Sequence, residues 1–226
     1  MRSVEELLQS ELVIKGVLIA PQLDGAPRGS ALRALINERR IESANVNDAE
    51  FRSAAETESP QGVIAIAEIP AHSFAGLHGR TSMRVLVLDS VQDPGNVGTI
   101  LRTAAALGAT ATVALPGTVD LWNAKVVRSA MGASFHHVAF HSDAEELFAF
   151  LEAESVPLWG ADVAGDPVGS VTPPATLALA VGNEGAGLSS TVRARAERLV
   201  SLPISGAVES LNVSVAAGIL LYELSK

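Results

Sequence analysis

Arg84-Val85-Leu86-Val87-Leu88-Asp89 is followed by the turn Ser90-Val91-Gln92-Asp93-Pro94-Gly95, and then by Asn96-Val97-Gly98-Thr99-Ile100-Leu101-Arg102-Thr103-Ala104-Ala105-Ala106-Leu107. The first six residues are β-branched or aliphatic almost without interruption, which reads as a strand buried on both faces. Pro94 and Gly95 make a turn, and the apolar spacing that follows is helical over Asn96–Leu107. The same pattern repeats down the chain. Strands are expected at 111–115, 137–140, 157–161, 177–181 and 199–203, with helices at 123–131, 143–152, 188–193 and 211–224. Strands alternating with helices of this length predict a mostly parallel α/β sheet covered on both faces. Ligands of such sheets bind outside the carboxyl ends of the strands.

Upstream, a smaller α/β segment is expected. It has a helix ending at Gln9, a strand at 15–20, a helix at 30–40 capped by Ser30 and a strand at 43–46. A helix from Asp48 to Ala55 and a strand at 62–67 complete it. The stretch Ile69-Pro70-Ala71-His72-Ser73-Phe74-Ala75-Gly76-Leu77-His78-Gly79-Arg80-Thr81-Ser82 lacks an apolar period and reads as a linker. The expected division is therefore a small domain with its linker at 1–78 and a larger domain at 79–226.

Composition narrows the function. Of 226 residues, 48% are hydrophobic, enough for a sizeable core, and no cysteine is present, which excludes disulfides, zinc ribbons and thiol catalysis. No apolar run is long enough to span a bilayer. Glu5, Glu6 and Glu11 have the wrong sign for a secretory or transit leader. A soluble, cytoplasmic protein without membrane contact is expected. The formal charge of −9, from 16 basic and 25 acidic residues, argues against indiscriminate attraction to phosphate backbones. Aromatics at 4% also argue against a stacking platform for single strands, so any RNA must be read by shape and a few placed arginines. His72, His78, His136, His137 and His141 have no metal-ligand spacing and read as linker or surface groups; no metal is expected.

Three polar turns each follow a strand of the larger domain. In the first, Asn96 and Arg102 lie about 240° apart on a helical wheel, so Asn96 acts at the helix end while Arg102 projects sideways; a capping Asn and a surface Arg would look the same. The second, Gly182-Asn183-Glu184-Gly185-Ala186-Gly187, lacks the Lys and Ser/Thr of a phosphate loop. Glu184 would repel phosphate, so this loop suits a neutral or cationic ligand, or is simply a Gly-rich turn. The third runs Leu202-Pro203-Ile204-Ser205-Gly206-Ala207-Val208-Glu209-Ser210-Leu211-Asn212-Val213-Ser214, with Ser210 placed to cap the last helix. That helix, Leu211–Leu224, is apolar nearly all round, which fits either a core helix or a homodimer interface.

Taken in order, these turns resemble the three motifs of the SpoU/TrmH family of SPOUT RNA 2′-O-ribose methyltransferases. N-x-G-x-x-x-R is carried by Asn96, Gly98 and Arg102, G-N-E-G-x-G by Gly182 to Gly187, and L-P-I-x-G-x-x-x-S-L-N-V-S by Leu202 to Ser214. Lys125-Val126-Val127-Arg128-Ser129-Ala130-Met131-Gly132-Ala133 is similar to the family's segment at that place. Pro60-Gln61-Gly62-Val63 and its surroundings resemble the ribosomal-protein-like substrate-binding domain that often precedes it. The chain enters that domain at its first helix, without the basic stretch and strand usual before it; a small domain that is truncated, wrongly assigned at its start or genuinely reduced is the expectation.

The resemblance implies a parallel sheet whose C-terminal part threads a trefoil knot, and a homodimer through Leu211–Leu224. It implies S-adenosyl-L-methionine as cofactor, held by Gly182, Leu202, Ile204 and Leu211; for catalysis, Asn96, Glu184 and Asn212 are expected to hold Arg102 and the ribose, with Ser210 orienting the site. The reaction implied is methylation of a ribose 2′-hydroxyl in RNA, with ribosomal RNA favoured over transfer RNA. The family's proposed base corresponds to Arg102. A guanidinium stays protonated across the accessible pH range, so clamping a phosphate or stabilising an alkoxide is the physically easier role. The rivals are a non-catalytic RNA-binding protein on the same fold and a dinucleotide-dependent oxidoreductase. The latter requires a glycine fingerprint after the first strand, which Asp89–Asn96 does not supply.

Overall fold

The computed structural model describes residues 1–55, 59–206 and 208–226. They form two compact units, Met1–Pro70 and Ala71–Lys226.

In the first unit, α1 (Arg2–Gln9), β1 (Ile14–Ile19), α2 (Gly29–Glu38), β2 (Ser43–Asn45), α3 (Asp48–Ala54) and β3 (Val63–Ala67) follow in order. The strands pair as β2-β1-β3, with β1 parallel to β2 and antiparallel to β3. Leu8 of α1, Leu32 and Ile36 of α2, Val17 and Ile19 of β1 and Leu23 share one core. The helix starts differ from those expected. Ser30 lies inside α2, whose N-terminus has no side-chain cap. Asn47, not Asp48, caps α3: its side chain accepts the Ala49 and Glu50 amides, while Glu50 reaches back to the Asn47 amide in a capping box. Asn and Asp are equivalent caps by type, so adjacent candidates are separated only by backbone geometry.

The second unit contains β4 (Met83–Asp89), α4 (Pro94–Ala106), β5 (Ala111–Ala114), α5 (Ala124–Ser129), β6 (Ala139–His141) and α6 (Ala144–Ala153). Then come β7 (Leu158–Pro167), β8 (Thr176–Gly182), α7 (Ser190–Arg195), β9 (Arg198–Ser201) and α8 (Val213–Leu224). Among the described residues the sheet has six strands in the order β6-β5-β4-β8-β7-β9, every pairing parallel. Successive side chains of a strand point to opposite faces, and β4 shows the consequence. Leu86 and Leu88 enter a core with Ile100 and Leu101 of α4, Val126 of α5 and Leu220 of α8. Val85 and Val87 enter the opposite core with Leu147 and Phe150 of α6 and Val192 of α7. Burial on both faces explains why these strands read as unbroken apolar runs.

Two features depart from expectation. The stretch read as a linker contains a short 3-10 turn, Phe74–Gly76, whose Phe74 is buried, stacked on Phe150 at 4.5 Å and edge-on to Phe140 at 5.0 Å. Glu154 pins its end, taking the His78 Nδ1 contact at 2.7 Å and the Gly79 amide at 2.8 Å. Those two hydrogen bonds hold its carboxyl below the usual carboxylate range. Isolated aromatics with no period left the segment without a sequence signal. Second, β7 runs past Ala161 to Pro167, its register against β9 shifting between Ala161 and Asp166 so that Asp162–Gly165 bulge out of the ladder.

Arg84 gives the charged end of β4 a structural use. Its guanidinium donates to the carbonyls of Pro174 at 2.7 Å, Ala175 at 2.8 Å and Leu224 at 3.2 Å, the last being the C-terminus of α8. A cation is favourable there because the terminal carbonyls lack helical partners.

Candidate active site

The carboxyl ends of β4, β8 and β9 converge on the three polar turns. Asp93 caps α4 by accepting the Asn96 amide at 2.8 Å. Asn96 is therefore relieved of the capping role that spacing alone left open. Its side-chain amide donates to Glu184 Oε1 at 2.9 Å, and its Oδ1 accepts from Asn212 Nδ2 at 2.9 Å. Residues 88 and 116 positions from Asn96 in sequence thus meet in one hydrogen-bonded row, Asn212–Asn96–Glu184.

Asn212 is also the cap of α8. Its Oδ1 accepts the Ser214 amide at 2.9 Å and the Ser214 hydroxyl at 2.6 Å. Ser210, expected in that role, lies two residues too early: the helix starts at Val213. Buried Ser214 finds the partner it needs in this contact.

Glu184 is held by a loop locked to the sheet. Asn183 Nδ2 donates to the Ser90 carbonyl at 3.0 Å, and Asn183 Oδ1 accepts the Gly185 and Ala186 amides. Asp89, 3% exposed, accepts the Ser189 amide at 2.6 Å. A Cβ on Gly182 would lie 2.2 Å from the Gly187 carbonyl carbon, so the loop closes on itself only with glycine there. Gly98 has a comparable reason: a Cβ would lie 2.4 Å from Ser129 Cβ, so it lets α4 and α5 touch.

Beneath this row is a cavity of about 410 Å³. Gly182, Leu202, Ile204 and Leu211, the residues expected to hold a cofactor, all border it, as do Glu184 and Ser210. Its floor is aliphatic, from Val181, Val200 and Leu220, and among the described residues its charged lining is acidic: Glu184 and Glu209, with Asp162 already paired to Arg193. With no Lys or Arg in the lining among the described residues, the site suits a ligand with an apolar ring and a positive charge rather than a polyphosphate.

Arg102 is exposed on the third turn of α4 and has no hydrogen-bond or ion-pair partner among the described residues. The structure does not join it to the Asn212–Asn96–Glu184 row. Asp89, Asn183, Asp93 and Asp162 were missed as contributors. Asn183 lies within a quoted motif, and a carboxylate ending an apolar strand was the available signal for Asp89. The bulge that brings Asp162 to the cavity had none. His137 also departs from the surface reading: it is 6% exposed and its Nε2 contacts Thr112 Oγ1 at 2.8 Å. Burial and the neighbouring charge of His72 lower its pKa to about 4. Among the described residues no cluster of three or more His, Asp or Glu could hold a metal, and no helix is long and apolar enough to cross a membrane.

Comparison with known proteins follows the same lines. Residues 83–222 match the SpoU rRNA Methylase family, and residues 1–72 match the RNA 2′-O ribose methyltransferase substrate binding family. The 23S rRNA (guanosine(2553)-2′-O)-methyltransferase of Bacillus subtilis is 36% identical over 98% of this chain and 84% of its own. A 23S rRNA (uridine(2479)-2′-O)-methyltransferase of Streptomyces viridochromogenes is 34% identical over 74% of this chain, which spans only 60% of that protein. Among solved structures, the SpoU methyltransferase AviRb of Streptomyces viridochromogenes in complex with AdoMet superposes with a TM-score of 0.89 at 28% identity, covering 99% of this chain and 86% of that one. With a family model matching well over half its length, the chain belongs to the SpoU rRNA Methylase family.

Proposed function

We propose that this protein methylates a ribose 2′-hydroxyl of ribosomal RNA, using S-adenosyl-L-methionine held in the cavity under the Glu184 loop. The observation that carries the reading is the row Asn212–Asn96–Glu184 set over an apolar cavity whose charged lining is acidic among the described residues. The cofactor's adenine suits the aliphatic floor, and its positive charges suit Glu184 and Glu209, Asp162 being already paired with Arg193. When bound, it supplies a methyl group on a sulfonium, already a good leaving group.

What remains for the protein is orientation and management of the 2′-hydroxyl proton. Gly182, Leu202, Ile204 and Leu211 shape the cofactor side. Asn96 and Asn212 fix the Glu184 carboxylate, whose Oε2 has no partner among the described residues and is free to accept from a ribose hydroxyl. Ser210, exposed at the cavity's rim, adds a further donor. Arg102, exposed and unpaired among the described residues, supplies a cation suited to clamp the phosphate next to the target ribose or to stabilise the alkoxide as its proton leaves.

The wider assembly belongs to the same reading. Val215, Ile219 and Tyr222 form an exposed apolar stripe at helical spacing on α8 and serve as the seam of a homodimer. The trefoil knot that the motifs imply for the C-terminal part of the catalytic unit belongs to this reading. Residues 1–78 carry RNA for the catalytic unit at 79–226, in the cytoplasm.

Transfer of labelled methyl from S-adenosylmethionine to unmodified ribosomal and transfer RNA tests the proposal, with 2′-O-methylation seen as alkali-resistant dinucleotides. Label in ribosomal RNA, lost in Arg102→Ala, is the expected result. Label confined to transfer RNA would move the substrate, and no label with intact cofactor binding would leave an RNA-binding protein.

A further inference from the structure

The cations of the second unit are unevenly committed. Arg84 is spent on backbone carbonyls, and Arg80 donates to the Gly76 carbonyl. Arg193, Arg198 and Lys226 are paired with Asp162, Asp166 and Glu223, and Arg195 lies over the Phe148 ring. Among the described residues, three cations of this unit remain without any such partner: Arg102, Lys125 and Arg128. All three are exposed, and all lie on α4 or α5.

Local composition agrees. Residues 94–135 contain one acid, Asp120, against these three bases, a local charge of +2 in a chain of −9. Asp120 accepts the Trp122 amide at 3.0 Å and lies 3.8 Å from His141 Nε2.

The helices place the three cations on adjoining ground. Gly98 brings α4 against α5 at Val126 and Ser129, and Arg102 lies one turn further along the same stripe of α4. Lys125 and Arg128 are three residues apart and share a face of α5. Just beyond, Met131 takes a left-handed backbone conformation, φ 53°, and keeps 36% of its surface exposed although it is apolar. An exposed thioether beside unpaired cations offers a base or sugar an apolar contact while its phosphates are held.

We propose that Lys125 and Arg128, with Met131 beside them, are the docking surface for the RNA strand flanking the target ribose. The two cations take successive phosphates and Met131 takes the face of a neighbouring nucleotide. This inference rests on the methyltransferase reading above. Phosphate contacts position a strand without reading its sequence, so the effect falls on RNA affinity and KM, not on the choice of base or the methyl-transfer step.

The test measures RNA affinity against salt, together with KM and kcat for methyl transfer, in wild type and in Lys125→Gln/Arg128→Gln. S-adenosylhomocysteine-induced thermal stabilisation serves as the folding control, and Lys226→Gln, which removes a paired cation, as the charge control. The expected result is an RNA affinity about tenfold weaker for each cation removed. The slope of log affinity against log salt should be shallower by about one per cation, with kcat and cofactor stabilisation retained. Met131→Ala should raise KM without altering the slope. Lys125→Arg/Arg128→Lys should restore the wild-type slope, which a merely structural role would not predict. A double variant with wild-type KM and slope overturns the inference while leaving the methyltransferase reading intact. A wild-type protein that neither binds nor methylates RNA overturns that reading and this one with it. Should the double variant lose cofactor stabilisation, the two single variants decide by the same slope criterion.

Discussion

Glu184 is where charge and geometry meet. Asn96 fixes one carboxylate oxygen, so Glu184→Gln keeps an acceptor in place and removes the charge. Turnover should fall by about 10²-fold, the usual cost of losing one preorganised electrostatic contact. The same variant should narrow the preference for cationic S-adenosylmethionine over neutral-sulfur S-adenosylhomocysteine, as read by calorimetry. Retention of both turnover and preference would remove Glu184 from the site. His137 supplies a different residue-scale test. Its pKa is lowered to about 4 in the folded protein, against an ordinary 6.5, so the unfolded chain binds the extra proton throughout that interval. Stability is therefore unaffected by this group above about pH 6.5 and falls as pH drops toward 4, below which the loss is constant. The gap corresponds to about 3 kcal/mol at most. Chemical denaturation between pH 7 and 4 should show this slope, and His137→Gln should flatten it.

Among the elements, the start of α8 separates stability from chemistry. Because Asn212 caps the helix and Ser210 does not, Asn212→Ala should cost about 1 kcal/mol in denaturant unfolding, while Ser210→Ala should leave stability unchanged. Both should slow methyl transfer, and equal destabilisation by the two would refute the assignment. The same comparison shows what the sequence could tell. Strands β4 and β8 were legible because burial on both faces leaves continuous aliphatic runs, and the motif residues were legible because they follow those runs. Helix starts slipped by one or two residues, since Ser30, Asp48 and Ser210 are good caps by type and only backbone geometry decides which residue caps. Phe74 was missed because a 3-10 turn of three residues has no period to detect. Asp162 was missed because a bulge in β7 is a property of pairing with β9, not of its own sequence. Arg102 was legible as a motif residue, but the expectation that Asn96, Glu184 and Asn212 hold it was not: they bond to one another, and Arg102 is unpaired among the described residues.

At the scale of the whole molecule, α8 presents two apolar faces. One packs Ala217, Leu220, Leu221 and Leu224 into the core, and the other leaves Val215, Ile219 and Tyr222 exposed. Ile219→Glu should convert a dimer to monomer in sedimentation experiments and abolish activity while sparing secondary structure. A wild-type monomer in solution would dismiss that surface as an interface. The order of the sheet carries one further consequence, for how the chain is made. Its central pair joins Met83–Asp89 to Thr176–Gly182, so strand β4 meets its second neighbour only after some ninety further residues have been synthesised. Until then β4 has β5 on one edge and a long apolar edge bare on the other, a surface prone to pairing with the wrong partner. A nascent chain leaving the ribosome must hold that edge unpaired for several seconds at ordinary synthesis rates. This protein's yield should therefore respond to translation speed and chaperone supply more than its finished stability would suggest.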